Sequence, residues 1–219
     1  MKYQKPQTNF KSLLYRSGLL LALLLPNLAA ADFSAGLAAY QRQDYAAALQ
    51  EWQPLAEQGD AAAQFNLGIM YATAQGVPKN DREAVKWFGL VAEQGHAVAQ
   101  YNLSAMYANG QGVAQDYQKA LKWVRLAAEQ GYAQAQYNLG AMYIEGEGVP
   151  IDFQAAAKWF RLAADQGHVD AQYFLGAMYL EGLGVEKDDQ EGVKWFRLAA
   201  EQGDVRAKLM LYKLGQDMR

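Results

Sequence analysis

The chain of 219 residues has no cysteine, two histidines and five prolines. The first absence removes a disulfide framework, thiolate metal sites, a cysteine nucleophile and a lipid-modified N-terminal cysteine. Two histidines leave little from which to build a metal centre or a catalytic base. Positive charge is scarce beyond the N-terminus. Lys2, Lys5, Lys11 and Arg16 lie within residues 1–31, which hold no acid, so residues 32–219 carry 16 basic and 23 acidic groups, a net charge of −7. That balance repels nucleic acid and anionic lipid and argues against a polyanion-binding role. Long apolar runs are also missing: Gly18–Leu25 is less than half of the roughly 20 residues that cross a membrane. What is present is a 52% apolar chain with five Trp and fourteen Tyr, enough for a folded core and incompatible with disorder.

The basic stretch Lys2 to Arg16 precedes that apolar run, Pro26-Asn27 ends it, and Ala29-Ala30-Ala31 supplies small residues before Asp32. This is the layout of a secretory signal peptide, cut between Ala31 and Asp32. The alternative, an uncleaved anchor, is opposed by the shortness of the run. The expected product is a soluble periplasmic protein with no integral membrane span, and the lack of cysteine suits an oxidising compartment.

Beyond the leader, one 36-residue period organises the chain into Ala63–Val98, Ala99–Gln134, Ala135–Asp170 and Ala171–Arg206. Each copy opens Ala-Gln-(Phe/Tyr)-x-Leu-(Gly/Ser)-x-Met-Tyr, passes through Gly-Val, and closes Lys-Trp-(Phe/Val)-x-Leu-(Val/Ala)-Ala-(Glu/Asp)-Gln-Gly. Self-similarity at such a period marks a solenoid. Ala63, Leu67, Met70 and Tyr71 form one apolar stripe of a first helix. A second helix starts at the N-cap residues Asn80, Asp116, Asp152 and Asp188, with Glu83 and Glu191 placed to complete capping boxes. It stops at Gly95, Gly131, Gly167 and Gly203. Its buried face is Ala84/Ala120/Ala156/Gly192 with Phe88/Val124/Phe160/Phe196, and the Trp87/Trp123/Trp159/Trp195 column lies beside it. Gly68, Ser104, Gly140 and Gly176 sit mid-helix in register, implying that a neighbouring backbone comes too close for a side chain.

These motifs resemble the Sel-1-like repeat family, a branch of the tetratricopeptide superfamily. The resemblance implies an all-α, right-handed α/α solenoid of helix-turn-helix repeats whose first helices line a concave face, and a role in assembling or restraining other proteins. Domains are expected at 1–31 (signal peptide), 32–62 (a trimmed tetratricopeptide-type unit with Trp52 in the Phe88 slot and Pro54 bending its second helix), 63–206 (four repeats) and 207–219 (a capping helix in which Tyr212 replaces the small residue).

On that face the sequence places an aromatic column (Phe65, Tyr101, Tyr137, Tyr173), a small column (Ile69, Ala105, Ala141, Ala177) and an edge that turns acidic (Thr73, Asn109, Glu145, Glu181). Two readings of the rings stand: they meet a protein partner, or they pack against the next repeat. Phe174 breaks an otherwise asparagine row (Asn66, Asn102, Asn138) and reads either as an exposed ring or as a cover for the end of the array. The expected partner-binding set is therefore Phe65, Tyr101, Tyr137, Tyr173, Phe174, Asn109, Glu145 and Glu181, with the acidic edge drawing a basic segment. The arginine row Arg125/Arg161/Arg197 is expected to pair with Glu129/Asp165/Glu201 four residues on.

An enzyme is not expected, nor a cofactor or bound metal. His96 and His168 are two repeats apart, on the order of 20 Å at roughly 8–10 Å per helix layer. Ser34 and Ser104 have no base in reach, and Glu145, Glu147 and Glu181 have no apolar setting to raise one carboxyl. Cysteine-rich members of the family are associated with β-lactam chemistry, which does not carry over to a chain without cysteine. The leading expectation is a periplasmic scaffold or regulator of another envelope protein. The alternatives are an immunity protein that inhibits a secreted toxic enzyme and, from another class, a cell-wall or β-lactam hydrolase.

Overall fold

The computed structural model describes residues 31–215. The leader, apart from Ala31, and the last four residues of the expected cap lie outside the described residues. Eleven helices follow one another among those described: α1 (Phe33–Gln41), α2 (Tyr45–Glu57), α3 (Ala61–Thr73), α4 (Asp81–Glu93), α5 (Ala97–Asn109), α6 (Tyr117–Glu129), α7 (Ala133–Glu145), α8 (Phe153–Asp165), α9 (Val169–Glu181), α10 (Asp189–Glu201) and α11 (Val205–Lys213). Each packs chiefly against the helix before and the helix after it, which is the topology of a stack. The core is correspondingly a chain of local clusters: Leu67 and Met70 with Trp52, Leu103 and Met106 with Phe88, Leu139 and Met142 with Val124, and Leu211 with Phe196.

Side-chain caps set the helix starts. Asp44, Asn80, Asp116, Asp152 and Asp188 each accept the N–H of the residue three positions on. The expected capping boxes close only halfway. The N–H that Glu83 or Glu191 would accept is already taken: Asn80 donates to the Tyr71 carbonyl and Asp188 to that of Tyr179, both at 3.0 Å. The same bond runs from Asp116 to Tyr107 and from Asp152 to Tyr143, so it closes the inter-helix loop in every family-type repeat. Glu83 and Glu191 turn outward to Lys86 and Lys194 instead.

Glycine is required where those loops meet the preceding repeat. Gly112, Gly148 and Gly184 have φ of +72°, +68° and +68°, and a Cβ there would meet the backbone of Asp81, Tyr117 and Phe153, the first residues of the preceding second helices. The mid-helix small residues have two causes, and the expected one acts at Gly176, where an added Cβ would meet the Gly192 carbonyl oxygen at 3.0 Å, just nearer than the Phe196 ring. At Gly68 and Gly140 a Cβ would lie 2.7 Å from the ring of Phe88 or Phe160, so a phenyl edge sets the limit more than a backbone does. The one serine of the row, Ser104, faces Val124 where the others face phenylalanine, and its hydroxyl donates to the Ala120 carbonyl at 2.9 Å.

The repeated glutamines form a ladder that pattern reading left without a role. Gln64, Gln100, Gln136 and Gln172 are buried; each donates to an alanine carbonyl of the preceding helix (Ala56, Ala92, Ala128, Ala164). Each also accepts from the glutamine thirty residues on (Gln94, Gln130, Gln166, Gln202) at 2.7–2.9 Å. Buried amides satisfied on both sides tie adjacent repeats in one register, because a slip would orphan both groups.

One further expectation is corrected. Arg125 donates to the Tyr143 hydroxyl at 3.0 Å and Arg161 lies over the Tyr179 ring, so these arginines reach the next first helix rather than the acid one turn along. A planar guanidinium gains more on a partly buried ring than in an exposed ion pair. Pro54 lies inside α2 as expected, and the helix continues past it to Glu57. At the far end Tyr212 is 81% exposed, and no helix closes on it among the described residues.

Candidate protein-binding face

The aromatic column lies at the seams between repeats. Phe65, Tyr137 and Tyr173 pack on Phe88, Phe160 and Phe196 of their own second helices, with ring centroids 5.5–5.7 Å apart. Each also meets the start of the next first helix: Phe65 on His96, Tyr101 on Tyr132, Tyr137 on His168 at 4.7 Å, and Tyr173 under the Arg206 guanidinium. All four rings are half-buried at the seams. Burial pushes the Tyr101 and Tyr137 hydroxyls above the ordinary phenol value, so both remain protonated.

Phe174 is not the exposed ring read from the sequence. It stacks on Phe160 at 5.7 Å and 18°, with Tyr137 and Tyr173 against its other sides, because planar rings lose more water by stacking than by standing alone. Asn109, Glu145 and Glu181 are exposed, as the last residues of α5, α7 and α9. There the carboxylates add to the partial negative charge of the helix ends. The field is felt nearby: the Tyr117 phenol is pushed up, first by its hydrogen bond to Glu147 and then by the charges of Glu147 and Glu145.

The Sel1 repeat family matches four times in tandem, at residues 61–96, 97–132, 133–168 and 169–204. This chain belongs to the Sel1 repeat family. A Sel1 repeat protein of Oxalobacter formigenes is 36% identical over 82% of this chain and 74% of its own, with a TM-score of 0.78. The protective antigen c5321 of uropathogenic Escherichia coli, which displays an SLR fold, is 33% identical over 97% of this chain, with a TM-score of 0.80. This chain spans 46% of that protein's length. No curated protein matches. The fold is accordingly the all-α right-handed solenoid of Sel1 repeats.

Each Sel1 repeat begins at the first residue of a first helix and ends at the N-cap of the next, so these caps are Asp60, His96, Tyr132, His168 and Asp204. That gives both histidines a structural role which their spacing alone did not reveal. His96 and His168 accept the N–H of Ala99 and Ala171 through Nδ1 at 3.3 Å. His168 Nε2 faces Gln134 Oε1 at 3.0 Å, so the neutral tautomer with its proton on Nε2 serves both contacts. Among the described residues no cluster of His, Cys, Asp or Glu is arranged to hold a metal. Nor is any helix there long and apolar enough to cross a membrane.

Burial against Tyr137 pulls the His168 pKa below its ordinary 6.5, partly opposed by Asp170, which itself pairs with Arg206. The neutral form is favoured by folding, so this contribution is complete above pH 6.5 and is lost as pH falls through that value toward the folded pKa. His168→Asp retains a cap, as Asp60 and Asp204 do, and removes the titration. The melting temperature of the wild type should fall more between pH 7.5 and pH 5 than that of His168→Asp. Parallel pH profiles of the two proteins would refute the assignment.

Proposed function

We propose that this Sel1 solenoid is an exported scaffold that grips another cell-envelope protein along the concave face of its first helices. The observation that carries this reading is the continuous edge of Asn109, Glu145 and Glu181, exposed at successive helix ends on one side of the stack. Among the described residues no ion pair engages either glutamate. Charges left unpaired at regular intervals suit a basic polypeptide segment and raise its association rate. The half-buried aromatic column supports that edge from the seams.

The same residues support a non-catalytic reading. Both histidines are spent as caps, the Ser104 hydroxyl donates to a backbone carbonyl, and the Glu145 and Glu181 side chains stand exposed at helix ends.

The test is a pull-down from periplasmic extract with the exported protein and with Glu145→Lys/Glu181→Lys, a pair chosen because both side chains are exposed. The reversal should reduce recovery of the partner at least tenfold while the melting temperature stays within a few degrees; equal recovery would refute the reading. A scaffold retrieves several partners, whereas an inhibitor forms one tight complex with a single enzyme. N-terminal sequencing of the periplasmic product should begin at Asp32.

A further inference from the structure

The last helix among the described residues ends the stack on an apolar face. Val205, Leu209 and Tyr212 lie one above the other on α11 and are 75%, 52% and 81% exposed. Thirty-six residues earlier, Val169, Tyr173 and Gly176 hold the same places on α9. There Val169 and Tyr173 pack on the cluster around Phe196 of α10, and a Cβ on Gly176 would lie 3.1 Å from the Phe196 ring. The exposed face of α11 is therefore the one on which a Sel1 repeat seats its second helix. Among the described residues no helix covers it. The end of a repeat array is expected to turn a polar face to water, and this end does the opposite. Tyr212 also stands where the other repeats keep a small residue for an incoming ring, so a helix that docks here must itself offer small side chains.

The other end of the stack has such a helix. Gly36 meets the Trp52 ring as Gly68 meets that of Phe88, which aligns α1 with the first helices of the repeats. Leu67 and Met70 of α3, buried against the preceding second helix at Trp52, then correspond to Ala35 and Ala38 of α1. Ala35 is exposed and Ala38 half-buried. One end has gained bulk and the other has lost it. Charge divides between the ends as well. α11 carries Arg206, Lys208 and Lys213 and no acid, whereas residues 32–60 hold Asp32, Asp44, Glu51, Glu57 and Asp60 against Arg42 alone, a side-chain balance of −4. We propose that α11 docks against α1 of a second copy of this chain, so that exported protomers join head to tail. Both helices have nine residues. Set antiparallel, they lay Leu209 and Tyr212 over Ala38 and Ala35 and bring Lys213 toward Asp32 and Glu51. The contact pairs two different patches, so it leaves a free end on each side and builds chains rather than closed dimers. Helices this short bury little area, and the association is weak and concentration-dependent. The inference rests on export with a first residue at Asp32 and is independent of the concave face, which stays open.

The test is sedimentation equilibrium of the exported protein. Its first residue is checked by mass spectrometry, so that a failure to associate is not mistaken for a failure of export. The weight-average mass should rise with concentration past that of a dimer, and should fall back when salt is added. Leu209→Ser/Tyr212→Ser removes the exposed bulk of one end, and Ala35→Lys fills and recharges the other. All three positions are exposed, so the melting temperatures should stay within a few degrees of the wild type. Each variant alone should remain monomeric where the wild type associates, with the dissociation constant raised about tenfold or more. An equimolar mixture of the two should form dimers and nothing larger, because each retains the end that the other lacks. A wild type that stays monomeric at every concentration, unchanged association in either variant, or a mixture without dimers would each overturn the proposal. Dimers of Ala35→Lys on its own would also overturn it, since α11 would then pair with α11 of the second copy.

Discussion

Gly184→Ala lowers the unfolding free energy by about 3 kcal/mol or more, from backbone strain joined to a backbone clash. The residue sits at φ +68°, and an added Cβ would come within 2.0 Å of the Phe153 carbonyl oxygen and 2.2 Å of its carbon. Neither atom can step aside, because Phe153 opens α8 directly after the Asp152 cap. The loop between α9 and α10 must therefore lift from the repeat beneath it. Gly203→Ala is the matched control. Its φ is +97°, but nothing lies within 4 Å of the added methyl, so it carries strain without the clash and should cost about 1–2 kcal/mol. Urea midpoints with the slope held common measure both, and equal losses would mean that close approach between repeats contributes nothing.

Gly140→Ser and Phe160→Val are each destabilising alone and largely compensate each other when combined. The single glycine replacement drives a Cβ to 2.7 Å from the Phe160 ring, an overpacking error costing about 1–3 kcal/mol. The single phenylalanine replacement empties a fully buried site at a cost of about 2–4 kcal/mol. Together they recreate the second Sel1 repeat, where Ser104 and Val124 coexist and the serine hydroxyl bonds to the Ala120 carbonyl. The coupling energy in a double-mutant cycle should be about 1–3 kcal/mol in favour of the pair, and strict additivity would refute the explanation of the small-residue row.

Reading the sequence was most reliable where one residue type has one mechanical use. The second-helix caps and the closing glycines follow from local chemistry, and the structure places them as expected: Asp116 caps α6 and Gly131 takes φ +87°. It was less reliable where a side chain can choose among neighbours far away in sequence. Arg125 has an acid one turn along, and only the stack shows that Tyr143 offers a better partner. Phe174 looked exposed because its row is otherwise asparagine, yet the ring that covers it belongs to the previous repeat's second helix. The spacing of His96 and His168 gave no role to either, since the capping role of His168 depends on where α9 begins and its burial on the ring of Tyr137.

The 36-residue period determined by itself that helix pairs stack and that the core is built one seam at a time, because an amphipathic hairpin cannot bury its apolar face alone. Tertiary structure decided which side chains face which across a seam. That geometry packs the aromatic column at the seams and links the glutamines in a ladder between repeats. These contacts join residues between fourteen and about thirty-four positions apart, a separation at which no local propensity acts.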